Sequence, residues 1–211
     1  MKKVILDLCG GTGSWARPWA EAGYEVVTIT LPDYDVTHYE FRSDGTMWFL
    51  PTKGLVKSIK IKDIYGILAA PPCTMFSFAR TNAKKPRDLK EGMECVRACL
   101  DIIWGCRERT KLAFWALENP MGYLRQFLGN PLWSFDPSQF HADYNKTTDV
   151  WGYFKPPRRS KRTRYSSTDD NTRKLPEIPA EYKKDYKMSN LQIRRSITPA
   201  GFAQAFYEAN K

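Results

Sequence analysis

Histidine is nearly missing from this chain: His38 and His141 are the only two among 211 residues. A metal centre built on imidazole therefore lacks its usual ligands, and none is expected. The five cysteines, Cys9, Cys73, Cys95, Cys99 and Cys106, are odd in number and include no C-x-x-C pair, which argues against a disulfide framework and against structural zinc. Cys95, Cys99 and Cys106 fall at helical spacing and read as small buried hydrophobes. No apolar run approaches the roughly 20 residues that cross a bilayer. The run opening at Val4 meets Asp7 too early for a signal peptide, so it reads as the first strand of a cytoplasmic protein. Acids are the scarcer charge, 23 against 33 Lys and Arg, leaving +10. That balance suits a polyanion such as nucleic acid; a solvated basic surface is the plainer alternative.

What is present follows an α/β pattern over a length that suits one domain, residues 1–211. Val4–Leu8 is a buried strand, Gly10-Gly11-Thr12-Gly13 a turn, Trp15–Ala22 a helix closed by Gly23, and Glu25–Ile29 a second strand. Asp44-Gly45, set between Phe41 and Met47-Trp48-Phe49, marks a hairpin inserted at residues 39–50. Tyr65–Ala69 is the next core strand. A helix runs from its cap Asp88 to about Glu108, with Glu91 in capping-box register. Ala113–Leu117 and Thr148–Phe154 are further strands. Thr198-Pro199 opens a last helix whose Phe202, Phe206 and Ala209 face the sheet. Residues 155–190 form a basic loop: Lys155–Arg164 alone holds six cations and two prolines.

The glycine turn is neither a dinucleotide fingerprint, since Ala16 stands where a third glycine belongs, nor a P-loop, since no Gly-Lys-Ser/Thr follows. An acid ahead of the glycines, Asp7, suits a cofactor with a cationic amino-acid end better than a pyrophosphate. S-adenosylmethionine is such a cofactor; a tight structural turn is the alternative. After the second strand, Asp33 and Asp35 are the acids available to ribose or adenine, or else are solvated loop residues.

Two more strand ends are unusual: Ala70-Pro71-Pro72-Cys73 and Glu118-Asn119-Pro120. Ligands of an open parallel sheet lie beyond the carboxyl ends of its strands, so neighbouring strands would bring Cys73 and Glu118 to one cleft. Such a pair has a chemical use. Carbon 5 of cytosine is a poor nucleophile until a thiolate adds to carbon 6 and makes the ring an enamine, and a carboxyl group at ring nitrogen 3 shares a proton with the adduct.

These segments together resemble the cytosine-5 DNA methyltransferase family. Asp7-Leu8-Cys9-Gly10-Gly11-Thr12-Gly13-Ser14-Trp15 through Ala22-Gly23-Tyr24 is similar to its cofactor motif, Pro71-Pro72-Cys73-Thr74-Met75-Phe76-Ser77 to its nucleophile loop, Glu118-Asn119-Pro120 to its Glu-Asn-Val motif, and Asp35-Val36-Thr37 to its Asp-Ile-Thr segment. The resemblance covers roughly residues 1–125 in the family's order. It implies a Rossmann-like S-adenosylmethionine-dependent methyltransferase fold and an enzyme of a prokaryote or a phage-infected host. Asp7, Leu8, Cys9, Gly11, Gly13, Ser14, Trp15, Asp35 and Pro71 would hold S-adenosyl-L-methionine. Cys73 would add to carbon 6, Glu118 would meet nitrogen 3 and the exocyclic amine, and Asn119 and Ser77 would shape the pocket of a cytosine flipped out of DNA. Enzymes that methylate exocyclic amines carry Asp/Asn/Ser-Pro-Pro-aromatic, which Ala70 and Cys73 do not match.

The chain departs from the family in four places. Cys9 stands where an aromatic covers the adenine, and Leu31 where an acid binds the ribose. The Gln-x-Arg-x-Arg segment is not evident, and Lys146 is taken to replace its cation. A recognition domain has no room, so Lys146, Arg158, Arg159, Lys161, Arg162 and Arg164 are the expected phosphate contacts, giving weakly sequence-selective binding. The same chemistry on RNA or a free cytosine nucleotide, and a catalytically degenerate nucleic-acid-binding module, remain open alternatives.

Overall fold

Nine strands and five helices are present in the structure, a computed structural model that describes residues 3–78, 80, 85–160, 175–180, 182 and 188–211. They run β1 (Val4–Leu8), α1 (Arg17–Glu21), β2 (Glu25–Ile29), β3 (Tyr34–Phe41), β4 (Thr46–Pro51), β5 (Lys57–Lys60), β6 (Ile64–Ala69), α2 (Leu89–Arg109), β7 (Phe114–Pro120), α3 (Arg125–Leu128), β8 (Trp133–Phe135), β9 (Thr148–Tyr153), α4 (Asn190–Ser196) and α5 (Ala200–Asn210). The protein is a mixed α/β protein with a mostly parallel central sheet, compatible with a Rossmann-like fold. That sheet has the order β2-β1-β6-β7-β9-β8, with β1 parallel to β2 and β6, β6 parallel to β7, and β9 antiparallel to both β7 and β8.

Strand β1 is Val-Ile-Leu-Asp-Leu, buried at every residue. Such a run lies between parallel neighbours with both faces covered. Its alternate side chains serve two cores. Leu6 and Leu8 join Ile67, Leu117, Val96, Ile102 and Cys99 beneath α2 and the small sheet, whereas Ile5 joins Leu68, Phe114, Trp19 and Phe206 beneath α1 and α5. Helix α2 starts where Asp88 accepts a hydrogen bond from the Glu91 amide at 2.9 Å, and its cysteines take the expected face, with Cys99 and Cys106 buried.

The insertion is larger than a hairpin over residues 39–50. Strands β3, β4 and β5 form a separate antiparallel sheet that begins at Tyr34 and ends at Lys60. Its first turn is as read: Asp44 accepts from the Thr46 amide and hydroxyl, and Gly45 takes φ +80°. The last helix differs at its start, because Pro199 occupies the cap position and Thr198 precedes it. Its far end is pinned instead. Asn210 accepts from the Lys155 amide at 2.8 Å and donates to the carbonyls of Lys155 (3.0 Å) and Phe206 (2.9 Å). Asn210→Ala would strand the Lys155 groups beside a buried void, and should lower the unfolding free energy by about 2 kcal/mol in a urea titration.

Candidate active site

Chain direction across the sheet reverses at β1: the connection from β1 goes to β2 on one side, and the next core strand, β6, lies on the other. The crevice at such a reversal, outside the carboxyl ends, is where open α/β sheets bind ligands. The glycine turn leaves β1 there, the Pro-Pro-Cys turn leaves β6, and Glu118-Asn119 ends β7, the next neighbour. Three segments far apart in sequence therefore share one rim.

The glycine turn opens its backbone toward space. Cys9, Gly11 and Gly13 take φ of +56°, +54° and +69°. A Cβ built at Gly11 or Gly13 would meet no atom within 4 Å. The Thr12 and Ser14 hydroxyls lie 2.6 Å apart in a hydrogen bond, and the Gly11 amide donates to the Thr30 hydroxyl at 3.3 Å. Below the turn the Asp7 carboxyl is fully enclosed, packed so closely under Gly10 that a Cβ there would lie 1.9 Å from Oδ2. Burial pushes this carboxyl up from 3.8 to about 7, opposed by the Thr28 hydroxyl. A bare backbone edge above an enclosed acid fits a cofactor that needs close main-chain approach.

Beside it, Cys73 sits half-buried at the head of a compact turn, its carbonyl accepting from the amides of Phe76 at 3.0 Å and Ser77 at 2.9 Å. Arg87 clamps that turn, donating to the carbonyls of Met75 (2.9 Å) and Ser77 (2.8 Å). Asn119 ties it to the sheet, its amide donating to the Pro71 carbonyl at 2.9 Å. Glu118 is enclosed alongside, its Oε2 without a hydrogen-bond partner among the described residues. Burial pushes the Glu118 carboxyl above its ordinary range, and Lys146 pulls it back. The Cys73 thiol is likewise pushed up by burial, lowered by Lys146, raised by Glu118 and lowered by Arg195. Lys146 thus acts on both the thiol and the carboxyl, and Glu118 on the thiol; Glu118 and Lys146 also line a small cavity with Tyr144, Thr148, Ile197 and Phe202.

Other expected residues lie elsewhere or do something else. The side chains of Leu8 and Trp15 are buried. Trp15, in the turn ahead of α1, is 2% exposed and packs against Phe202 and Phe206 of α5. Asp35 is half-buried at the start of β3, accepting from the Thr37 amide and hydroxyl. It lies close enough to Cys9 to add to the rise of that thiol, which a hydrogen bond with Cys99 and burial cause first. Lys146 is half-buried and lines a small cavity with Glu118. Asp136 holds its amide at 3.1 Å, and its ammonium donates to the Arg195 carbonyl at 2.7 Å. Arg158 and Arg159 are exposed, Arg159 lying 4.8 Å over the Trp133 ring. Lys161, Arg162 and Arg164 fall outside the described residues. Sequence reasoning missed Arg87, Asp136 and Tyr144. Only Asp136-Pro137 carried a signal, an acid before proline that caps the short helical turn Pro137–Phe140.

Compared with models of known protein families and with curated proteins, the chain matches none. Among the described residues no group of three or more His, Cys, Asp or Glu could hold a metal ion, and no helix is long and apolar enough to cross a membrane.

Proposed function

We propose that this chain is a Rossmann-like methyltransferase that uses S-adenosyl-L-methionine to methylate carbon 5 of cytosine in DNA. The observation that carries the reading is the meeting of Cys73 and Glu118 at the carboxyl ends of adjacent strands, one strand away from the open glycine turn. The backbone of Gly11 and Gly13, with Ser14 and Asp35, would hold the cofactor, which supplies an electrophilic methyl group when bound.

The protein's own residues account for the rest. The Cys73 sulfur bonds to carbon 6, and the electron pair of the 5,6 double bond shifts through the ring toward nitrogen 3, where Glu118 shares its proton. A carboxyl raised by burial is suited to that donation, since it keeps its proton nearer neutrality. Carbon 5 is then the nucleophile. Once it is methylated, loss of its proton and departure of the sulfur restore the ring and free Cys73. Asn119 and Arg87 keep the sulfur in place by fixing the turn from both sides.

Incubation with methyl-labelled cofactor should place label on carbon 5 of cytosine, with DNA outcompeting RNA and dCMP. Label confined to the exocyclic amine would refute the mechanism. Glu118→Gln keeps the shape and loses the shared proton, and should slow transfer about a hundredfold with cofactor binding by calorimetry unchanged.

A further inference from the structure

An uncovered aromatic patch flanks the Cys73 turn. Phe78 is 52% exposed and meets Tyr123 edge-on with centroids 5.0 Å apart. The Arg87 guanidinium lies 5.0 Å over the Tyr123 ring. Phe127, 47% exposed, stands edge-on to the buried Phe76 at 6.2 Å. These side chains come from two different segments, joined by a bridge between Ser77 and Gly122 and by the Tyr123 amide donating to the Phe76 carbonyl at 2.9 Å. The patch is therefore built into the Cys73 turn and moves with it.

Large rings left in water beside a reactive centre cost free energy unless something covers them. Phe76, two residues before Phe78, is by contrast fully buried. Arg87 sets a cation over the Tyr123 ring, Lys85 and Lys90 of the same segment are exposed together with Asp88 and Glu91, and the chain carries +10. Rings interleaved with cations match the chemistry of unpaired bases on a phosphate backbone, where each base stacks and each phosphate is neutralised. A duplex hides its base faces in its own stack; an unpaired strand offers them.

We infer that Phe78 and Tyr123 form a stacking platform for bases next to the target cytosine, and that the substrate strand is held unpaired, as single-stranded DNA. The inference rests on the cytosine-methylating role proposed above. Bases would be gripped by face, with little regard for sequence.

The test measures binding without turnover. Fluorescence anisotropy of a labelled, cytosine-containing oligonucleotide, single-stranded or annealed to its complement, is followed over a series of salt concentrations. The single strand should bind more tightly. Phe78→Ala should weaken it about tenfold and leave the salt dependence unchanged, whereas Phe78→Trp should retain it. Tyr123→Ala should reproduce the loss. Equal or tighter binding of the duplex would overturn the inference, as would a single-strand affinity indifferent to both alanine variants. Tighter duplex binding that Phe78→Ala weakens would identify a wedge between base pairs instead, also overturning it. Loss of the single-strand preference with methyl transfer intact removes this inference alone. Absence of transfer with the preference intact removes the enzymatic reading and leaves the platform standing.

Discussion

Cys73→Ala should reduce transfer of labelled methyl to cytosine below detection, with the unfolding free energy within about 1 kcal/mol of the parent. The sulfur is the atom that converts carbon 5 into a nucleophile, and alanine offers no substitute. The turn around it does not depend on the sulfur, because its carbonyl accepts from the Phe76 and Ser77 amides, while Arg87 and Asn119 hold the flanking carbonyls. The intact enzyme should also show a distinctive pH profile. Burial holds the Cys73 thiol above its ordinary range, so the ionised fraction near neutrality is small and grows about tenfold per pH unit. Initial rates should therefore climb with pH beyond neutrality. A rate falling steadily over that range would show that ionisation of the thiol does not limit the reaction.

Asp7→Asn should flatten the pH dependence of stability. The folded carboxyl titrates at about 7 against an ordinary 3.8. The native state thus keeps a proton that the unfolded chain gives up, and stability is greatest below about pH 4 and falls as pH rises through 7. A shift of about three units corresponds to about 4 kcal/mol between those limits. Glu118, also raised by burial, contributes with the same sign. The difference between parent and Asp7→Asn isolates the first group: in urea titrations between about pH 4 and pH 8 it should change by several kcal/mol in favour of the variant. A constant difference would mean that the Asp7 carboxyl is already ionised in the folded protein.

The core was legible where one residue pattern had one explanation. Strands β1 and β2 keep the bounds read from sequence because both are short, mostly apolar segments set off by glycines, one ended by the glycine turn and one preceded by Gly23. Helix α2 starts where Asp88 and Glu91 said it would. Strand β5 was invisible because Ile59 alone among its four residues is buried, so no alternation shows. Strand β8 has only three residues, ahead of Asp136-Pro137. Helix α4 did leave a sign that went unread: Ser189 and Gln192 form a reciprocal capping box. In the candidate site, Cys73, Glu118 and the glycines were legible as unusual strand ends. The packing of Trp15 was not legible, because an aromatic after a glycine turn reads the same whichever way it then faces. Nor was the influence of Lys146 on Cys73 and Glu118, which depends on how the segment after Asp136 folds back, with Asp136 holding the Lys146 amide.

Helix α5 has a consequence during synthesis. Phe202 and Phe206 complete the core on one face of the sheet, against Trp15, Phe114 and Phe135, partners encoded up to about two hundred residues earlier. A ribosome that has released every strand has still produced a sheet with one greasy face bare. The nascent chain must wait for these last turns before that face can close, and through that interval it is the kind of client that holding chaperones exist to shelter.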